Sequence, residues 1–224
     1  MMEANTLSGG YNQTCVVKNL NLSVKTGQCL GIIGRNGVGK STLGRLLQGS
    51  LKPMTGTISL EAFNIHNLLP YQRRHLGISY MPQIDMVFDD LTVRENLLLS
   101  GNWGGQGCYF NLFPILASRL DQQAGTMSGG ERKILAFART MMEDSKCIIL
   151  DEPSEGVQPE NIQHMVTVIK HKLAKARCVI LIEQNITMLT QVADQYLGLD
   201  AGQVVLQCNA DEATQERLSK VLAI

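Results

Sequence analysis

The sequence predicts an α/β fold: a mostly parallel sheet covered on both faces, an N-terminal antiparallel β subdomain and a small helical subdomain. Three observations predict it. Short apolar runs, "CLGIIG", "CIILDEP" and "CVILI", alternate with amphipathic helical patterns, as buried parallel strands do. The opening alternates apolar and polar residues, as strands with one buried face do. Between residues 87 and 128 the strand pattern gives way to short helical stretches. We therefore expect one domain, with residues 1–86 and 129–224 forming the α/β core with its β subdomain. Residues 87–128 form the helical subdomain.

Each element has a local reason. In "CVVKNLNLSVKTGQ", Val17, Leu20, Leu22 and Val24 mark strands with one buried face, turning at Thr26-Gly27. "CLGIIG" is a buried strand entering a glycine loop. "KSTLGRLLQG" is helical, with Leu43, Leu46 and Leu47 on one face and Gly49 as its stop. "GTISLEAFNI" is strand, and "LGISYMPQ" is a strand ending at Pro82-Gln83. "DDLTVRENLLLSG" starts a short helix with a capping pair, Thr92 and Glu95. "GNWGGQG" reads as loop, and "NLFPILASRLDQQAG" as helix from Pro114. "GERKILAFARTMM" is a helix with Ile134, Leu135, Ala138 and Met141 on one face. "CIILDEP" is a strand ending in acids. "PENIQHMVTVIKHKLAKA" is an amphipathic helix, "RCVILIEQ" a strand and "NITMLTQVADQ" a helix. "YLGLDAGQVVLQ" reads as a hairpin turning at Ala201-Gly202.

Composition narrows the function. The 224 residues are 44% hydrophobic and 18% charged, enough apolar surface for a core of its own. Lys plus Arg equals Asp plus Glu at 20 each, without the basic excess of a duplex-binding protein, so no nucleic-acid partner is expected. No apolar run approaches the ~18–20 residues that cross a bilayer. The start "MMEANTLSGG" lacks the basic-then-apolar pattern of a signal peptide. Six cysteines lack metal-ligand spacing, and Cys29, Cys147 and Cys178 fall in strand patterns. They read as reduced, packed thiols of a cytosolic protein. His66, His75, His164 and His171 read as surface or packing residues.

Chemistry concentrates at two places. "GRNGVGKS" fits G-x-x-x-x-G-K-[ST] between a strand and a helix. In such a loop the backbone of Gly34, Arg35, Asn36, Gly37, Val38, Gly39, Lys40, Ser41 and Thr42 curls around phosphate oxygens. The helix dipole adds positive potential. Lys40 supplies a point charge to the β- and γ-phosphates, and the Ser41 hydroxyl can ligate Mg²⁺. "IILDEP" places Asp151 and Glu152 at the carboxyl end of a buried strand, where open α/β sheets bind ligands. Asp151 would hold Mg²⁺, and Glu152 could orient or deprotonate a water. Capping of the next helix is the alternative for Glu152.

A second anion-binding backbone shape, "MSGGERK" at residues 127–133, raises the question of why one chain carries two. The phosphate loop, Pro82-Gln83, "SGGE" and "LDEP", in this order, resemble the ATP-binding subunits of ABC transporters over nearly the whole chain. The resemblance implies a phosphate-loop, RecA-like core that binds ATP and Mg²⁺ and hydrolyses ATP. It also implies that two such subunits, identical or different, stack head to tail. Ser128, Gly129 and Gly130 would then close on the ATP held by the other subunit, so the second anion site works in trans. Tyr11 would stack on adenine, or is an ordinary edge-strand tyrosine. Gln83 would touch Mg²⁺ and water and relay closure to membrane-spanning permease subunits, or is a surface glutamine. "SEGV" at residues 154–157 would cross the dimer.

Departures from the family pattern narrow it further. Met127 stands for the usual leucine, Glu131 for glutamine and Val157 for aspartate. Gln184 stands where most members have a switch histidine. It can donate a hydrogen bond to a γ-phosphate but carries no charge. "SGGE", "DEPSEG", "EQN" and "LFPIL" look like importers of branched-chain amino acids, amides and urea, with "EGVQP" and the terminal "LAI" leaning toward urea. The resemblance implies work at the cytoplasmic face of the membrane, with a solute-binding protein as an indirect partner. A soluble ABC ATPase of another process and an importer ATPase for a different solute are the alternatives.

Overall fold

The computed structural model describes residues 1–84 and 86–223; Asp85 and Ile224, the last residue of "LAI", lie outside it. The chain opens with β1 (Met2–Tyr11), β2 (Thr14–Val24) and β3 (Cys29–Ile33), then α1 (Lys40–Gln48), β4 (Thr55–Leu60) and β5 (Phe63–Asn64). Next come α2 (Pro70–His75), β6 (Ile78–Met81), α3 (Val93–Leu98), α4 (Gln106–Leu112), α5 (Pro114–Ser118) and α6 (Gly129–Met142). The last part carries β7 (Cys147–Asp151), α7 (Pro159–Ala174), β8 (Cys178–Ile182), α8 (Ile186–Val192), β9 (Gln195–Asp200), β10 (Gln203–Asn209) and α9 (Gln215–Ala223).

Two sheets form. The first is antiparallel, in the order β2-β1-β4-β5. The second has the order β10-β9-β3-β8-β7-β6 and is parallel except for its edge, where β10 runs antiparallel to β9. Strand alternation splits the core between its two faces. Leu30, Ile32, Ile149, Ile180 and Ile182 pack with α1 and the antiparallel sheet. Ile33, Ile148, Leu150, Val179 and Leu181 pack with the helices of the other face. Both faces are covered, which is why these strands are apolar throughout. Leu43, Leu46 and Leu47 are fully buried, each contributing about 1.5–3 kcal/mol of burial. Gly49 ends α1 at φ 96°, in the left-handed region that favours glycine.

Between Met81 and Cys147 no described residue joins either sheet as a strand. Val93, Leu97, Phe113, Leu116 and Met127 from this stretch share a continuous core with α6 and α7. The capping pair before α3 forms: Thr92 N donates to Glu95 Oε2 at 2.8 Å, and Glu95 N to Thr92 Oγ1 at 3.2 Å. Two details differ from expectation. Residues 101–107 hold a 3₁₀ turn, Trp103–Gly105, and begin α4. Trp103 meets Phe110 edge-on at 6.4 Å and Tyr109 Oη donates to Met141 O at 2.8 Å, anchors that override local glycine content. The helix from Pro114 stops at Ser118. Helices α2 and α9 were not expected; α9 docks through Leu218 and Val221.

Candidate functional site

Strand β3 delivers the chain into the glycine loop. Gly39 takes φ 107° as the N-cap of α1, and a Cβ there would lie 3.2 Å from a methyl of Val16. The β9–β10 turn props the loop from below: Gly202 N donates to Val38 O, and Lys18 N to Gly202 O, both at 2.9 Å. The first helical bond of α1 is Leu43 N to Gly39 O. Among the described residues, the N–H groups of residues 37–42 donate to no protein acceptor. Six donors at a helix N-terminus, with a lysine beside them, suit an anion with several oxygens. Lys40, 4% exposed, folds back on its own loop, donating to Gly34 O at 2.7 Å and Arg35 O at 2.9 Å. Its Nζ also pairs with Glu152 Oε1 at 3.2 Å.

Glu152 sits just past β7 at φ 49°, a strained conformation for a residue with a Cβ. Its carboxylate accepts from Gln83 Nε2 at 2.8 Å and from Gln184 Nε2 at 3.0 Å. Gln184 Nε2 also lies 2.7 Å from Asn36 Oδ1, which ties the residue after β8 to the loop after β3. Val16, Asn36, Gly37, Gly39, Lys40, Ser41, Thr42, Gln83 and Glu152 line one pocket of about 140 Å³.

Asp151 is fully buried. Tyr80 Oη donates to its Oδ2 at 3.1 Å, whereas Oδ1 has no partner. Burial pushes this carboxyl above the ordinary range, against the opposing pull of the nearby Ser41 and Tyr80 hydroxyls. Asp151 immediately precedes Glu152, which lines the pocket with Ser41 and Gln83, and the orphaned Asp151 oxygen with their side-chain oxygens would make an all-oxygen donor set that suits a hard divalent cation.

The structure keeps two sequence-selected groups apart from this pocket. Ser128 caps α6, its N–H donating to Glu131 Oε2 at 2.9 Å and its Oγ accepting from Glu131 N at 3.4 Å. That backbone hydrogen bond holds the Glu131 carboxyl below the usual range, and Arg119 pairs with it at 3.1 Å. Ser128 and Gly129 are exposed, and Gly130 half-buried. Ser128 and Gly130 line a separate pocket of about 390 Å³ with Gly156 and Val157. Tyr11 is exposed at the end of β1, and its hydroxyl accepts from Arg45 at 3.2 Å. Arg35 and Thr42 stay at the loop; Arg35 lies 3.9 Å from Asp200.

Sequence reasoning missed three residues here. Tyr80 holds Asp151. Buried Glu183 accepts from Ser154 N at 2.8 Å, Gln184 N at 2.9 Å and Asn185 N at 3.1 Å, fastening two site loops together. Lys133 is buried behind Glu152. Only Glu183 left a signal, as an acid at the end of an apolar strand.

The family described as "ABC transporter" matches residues 17–155. A high-affinity branched-chain amino acid transport ATP-binding protein, BraG, of Pseudomonas aeruginosa is 34% identical, over 92% of this chain and 91% of that one. A probable branched-chain amino acid transport ATP-binding protein, LivF, of Archaeoglobus fulgidus is 30% identical, over 99% and 98%. Among solved structures, MJ1267, an ATP-binding cassette of an ABC transporter, superposes with a TM-score of 0.83 at 26% identity, over 99% and 96% of the two chains.

Proposed function

The chain belongs to the ABC transporter family as an ATP-binding domain, and from this premise we propose that it hydrolyses ATP to energise a membrane importer for branched-chain amino acids, amides or urea. One observation carries the reading: Lys40, Glu152, Gln83 and Gln184 converge on the pocket below the open N–H groups of the glycine loop. The similarity to BraG and LivF, branched-chain amino acid transport ATP-binding proteins, supports the solute class.

In this reading the N–H groups of residues 37–42 and Lys40 take the β- and γ-phosphates of ATP. Lys40 exchanges the loop carbonyls and Glu152 for phosphate oxygens. Ser41, Asp151 and Gln83 would hold Mg²⁺, with Asp151 Oδ1 as the free oxygen. Held there, the ion would supply positive charge against the phosphate oxygens. Released from Lys40, Glu152 accepts a proton from water as the water oxygen attacks the γ-phosphorus and ADP leaves. Gln184 donates an amide hydrogen toward the γ-phosphate. Tyr11 stacks on the adenine.

Ser128, Gly129 and Gly130 act on the nucleotide of a second subunit, identical or different. Their exposure, and their separation from the pocket of Lys40, support that division. Among the described residues no helix is long and apolar enough to cross a membrane. We place the chain at the cytoplasmic face, docked on permease subunits through residues 87–128, with a solute-binding protein acting beyond them. Exposed Phe88, Leu98 and Leu99 in that stretch support a protein partner there. The test is phosphate release from ATP by the native chain and by Lys40→Ala. Turnover lost in the variant is expected; native turnover by Lys40→Ala would contradict the reading.

A further inference from the structure

Lys133 ends the stretch "MSGGERK" but has no role in anion binding there, and it is 4% exposed with two partners. Its Nζ donates to the backbone carbonyl of Glu152 at 2.7 Å and pairs with Glu155 Oε2 at 3.0 Å. A buried ammonium is costly unless its hydrogens are used, so a lysine here is not idle filler. The carbonyl it holds belongs to the one strained peptide of the site. Glu152 lies at φ 49°, a conformation that costs about 1–3 kcal/mol and persists only when its surroundings fix it. Its N–H is fixed by Ile182 O at 2.9 Å, and its C=O by Lys133.

Gln83 bridges the side chains of the two residues that Lys133 holds. Gln83 Nε2 donates to Glu152 Oε2 at 2.8 Å and lies 3.5 Å from Glu155 Oε2. The ammonium holds the Glu155 carboxyl below its ordinary range. Lys133, Glu155 and Gln83 thus close a ring around Glu152, gripping its peptide at one point and its carboxylate at another. Lys133 also stands on the helix whose cap is Ser128, five residues earlier, or about 7.5 Å along the axis. One rigid element therefore carries both the serine offered to the second nucleotide and the cation that holds the acid of the first.

We propose that Lys133 is a positioning residue for Glu152: by holding the carbonyl of the strained peptide, it aims the carboxylate at the attacking water. The inference rests on Glu152 being the base. It predicts a defect in turnover without a defect in nucleotide binding, because Lys133 touches neither the glycine loop nor Lys40.

The experiment compares Lys133→Met, Lys133→Arg and Glu152→Gln with the native chain, supplemented with its sister ATPase subunit if it does not turn over alone. Phosphate release gives kcat and KM, and equilibrium titration gives ATP affinity. Methionine keeps the length and loses the donor. Lys133→Met is expected to lose roughly ten- to a hundredfold in kcat, the scale of a misplaced catalytic group, with ATP affinity within about twofold of native. Lys133→Arg, which keeps a donor, is expected to regain most of the loss. If Lys133→Met does not fold, Lys133→Gln, with a shorter reach, is expected to show the same split more weakly. Native kcat in the folded methionine or glutamine variant would overturn the proposal. So would kcat and ATP affinity falling together, which marks a merely structural lysine. Stalled Glu152→Gln beside native Lys133→Met overturns this proposal alone; native turnover by Glu152→Gln overturns the base and this proposal with it.

Discussion

Replacing Glu152 by glutamine tests two parts of the site at once. The carboxylate faces Lys40 at 3.2 Å, with both side chains about 95% buried, at 4% and 5% exposure. At an effective dielectric near 20, that pair attracts by about 5 kcal/mol before desolvation. ATP must draw Lys40 away from this contact, and its γ-phosphate must approach the carboxylate. Glutamine keeps the shape and removes the charge, so the exchange becomes easier. If about 1–2 kcal/mol of the gross attraction survives desolvation, ATP should bind roughly five- to thirtyfold more tightly. The same substitution removes the base, so kcat should fall by about 10²–10⁴. Equilibrium titration with a fluorescent ATP analogue and steady-state phosphate release measure the two effects separately. Turnover within about threefold of native would refute Glu152 as base. Weaker ATP binding would refute the competition between Glu152 and phosphate for Lys40.

Two further outcomes follow from other residues. Arg73 is 1% exposed, and its guanidinium donates to Leu46 O and Leu47 O at the end of α1 and to His66 O and Leu68 O before α2, at 2.7–3.1 Å. Burial pulls its pKa down to about 10, which leaves it charged at neutral pH. Arg73→Met strands those carbonyls and should cost about 3 kcal/mol or more, read as a lower urea midpoint at unchanged slope. Gln184 is neutral, so this contact should add no titration to kcat near pH 6.5. A Gln184→His variant should acquire one in its pH–rate profile; identical profiles for both would place residue 184 outside the reaction.

The sequence made the parallel core legible because both faces of β3, β7 and β8 are covered, which forces unbroken apolar runs at Cys29–Ile33, Cys147–Asp151 and Cys178–Ile182. The glycine loop, the Thr92–Glu95 cap and the Ala201-Gly202 turn were legible because their geometry is local. Lys40, Gln83 and Gln184, chosen from separate stretches, meet within hydrogen-bonding distance of Glu152. What escaped was long-range. Tyr80 reaches Asp151 across 71 positions, and Glu183 reaches Ser154 across 29. A tyrosine after a serine, or a lysine in a helix, has no spacing that announces such a partner. The α4 stretch escaped for a related reason, since Tyr109 ties a glycine-rich segment to Met141, 32 positions away.

In the proposed function two subunits close on ATP, with Ser128–Gly130 of one facing the glycine loop of the other. The solution mass of the Glu152→Gln chain, with and without Mg-ATP, tests it most directly, alone and mixed with the sister ATPase subunit. An ATP-dependent rise from monomer to dimer is expected in one of the two samples, abolished by Ser128→Arg. ATP bound by a chain that stays monomeric in both samples would contradict it.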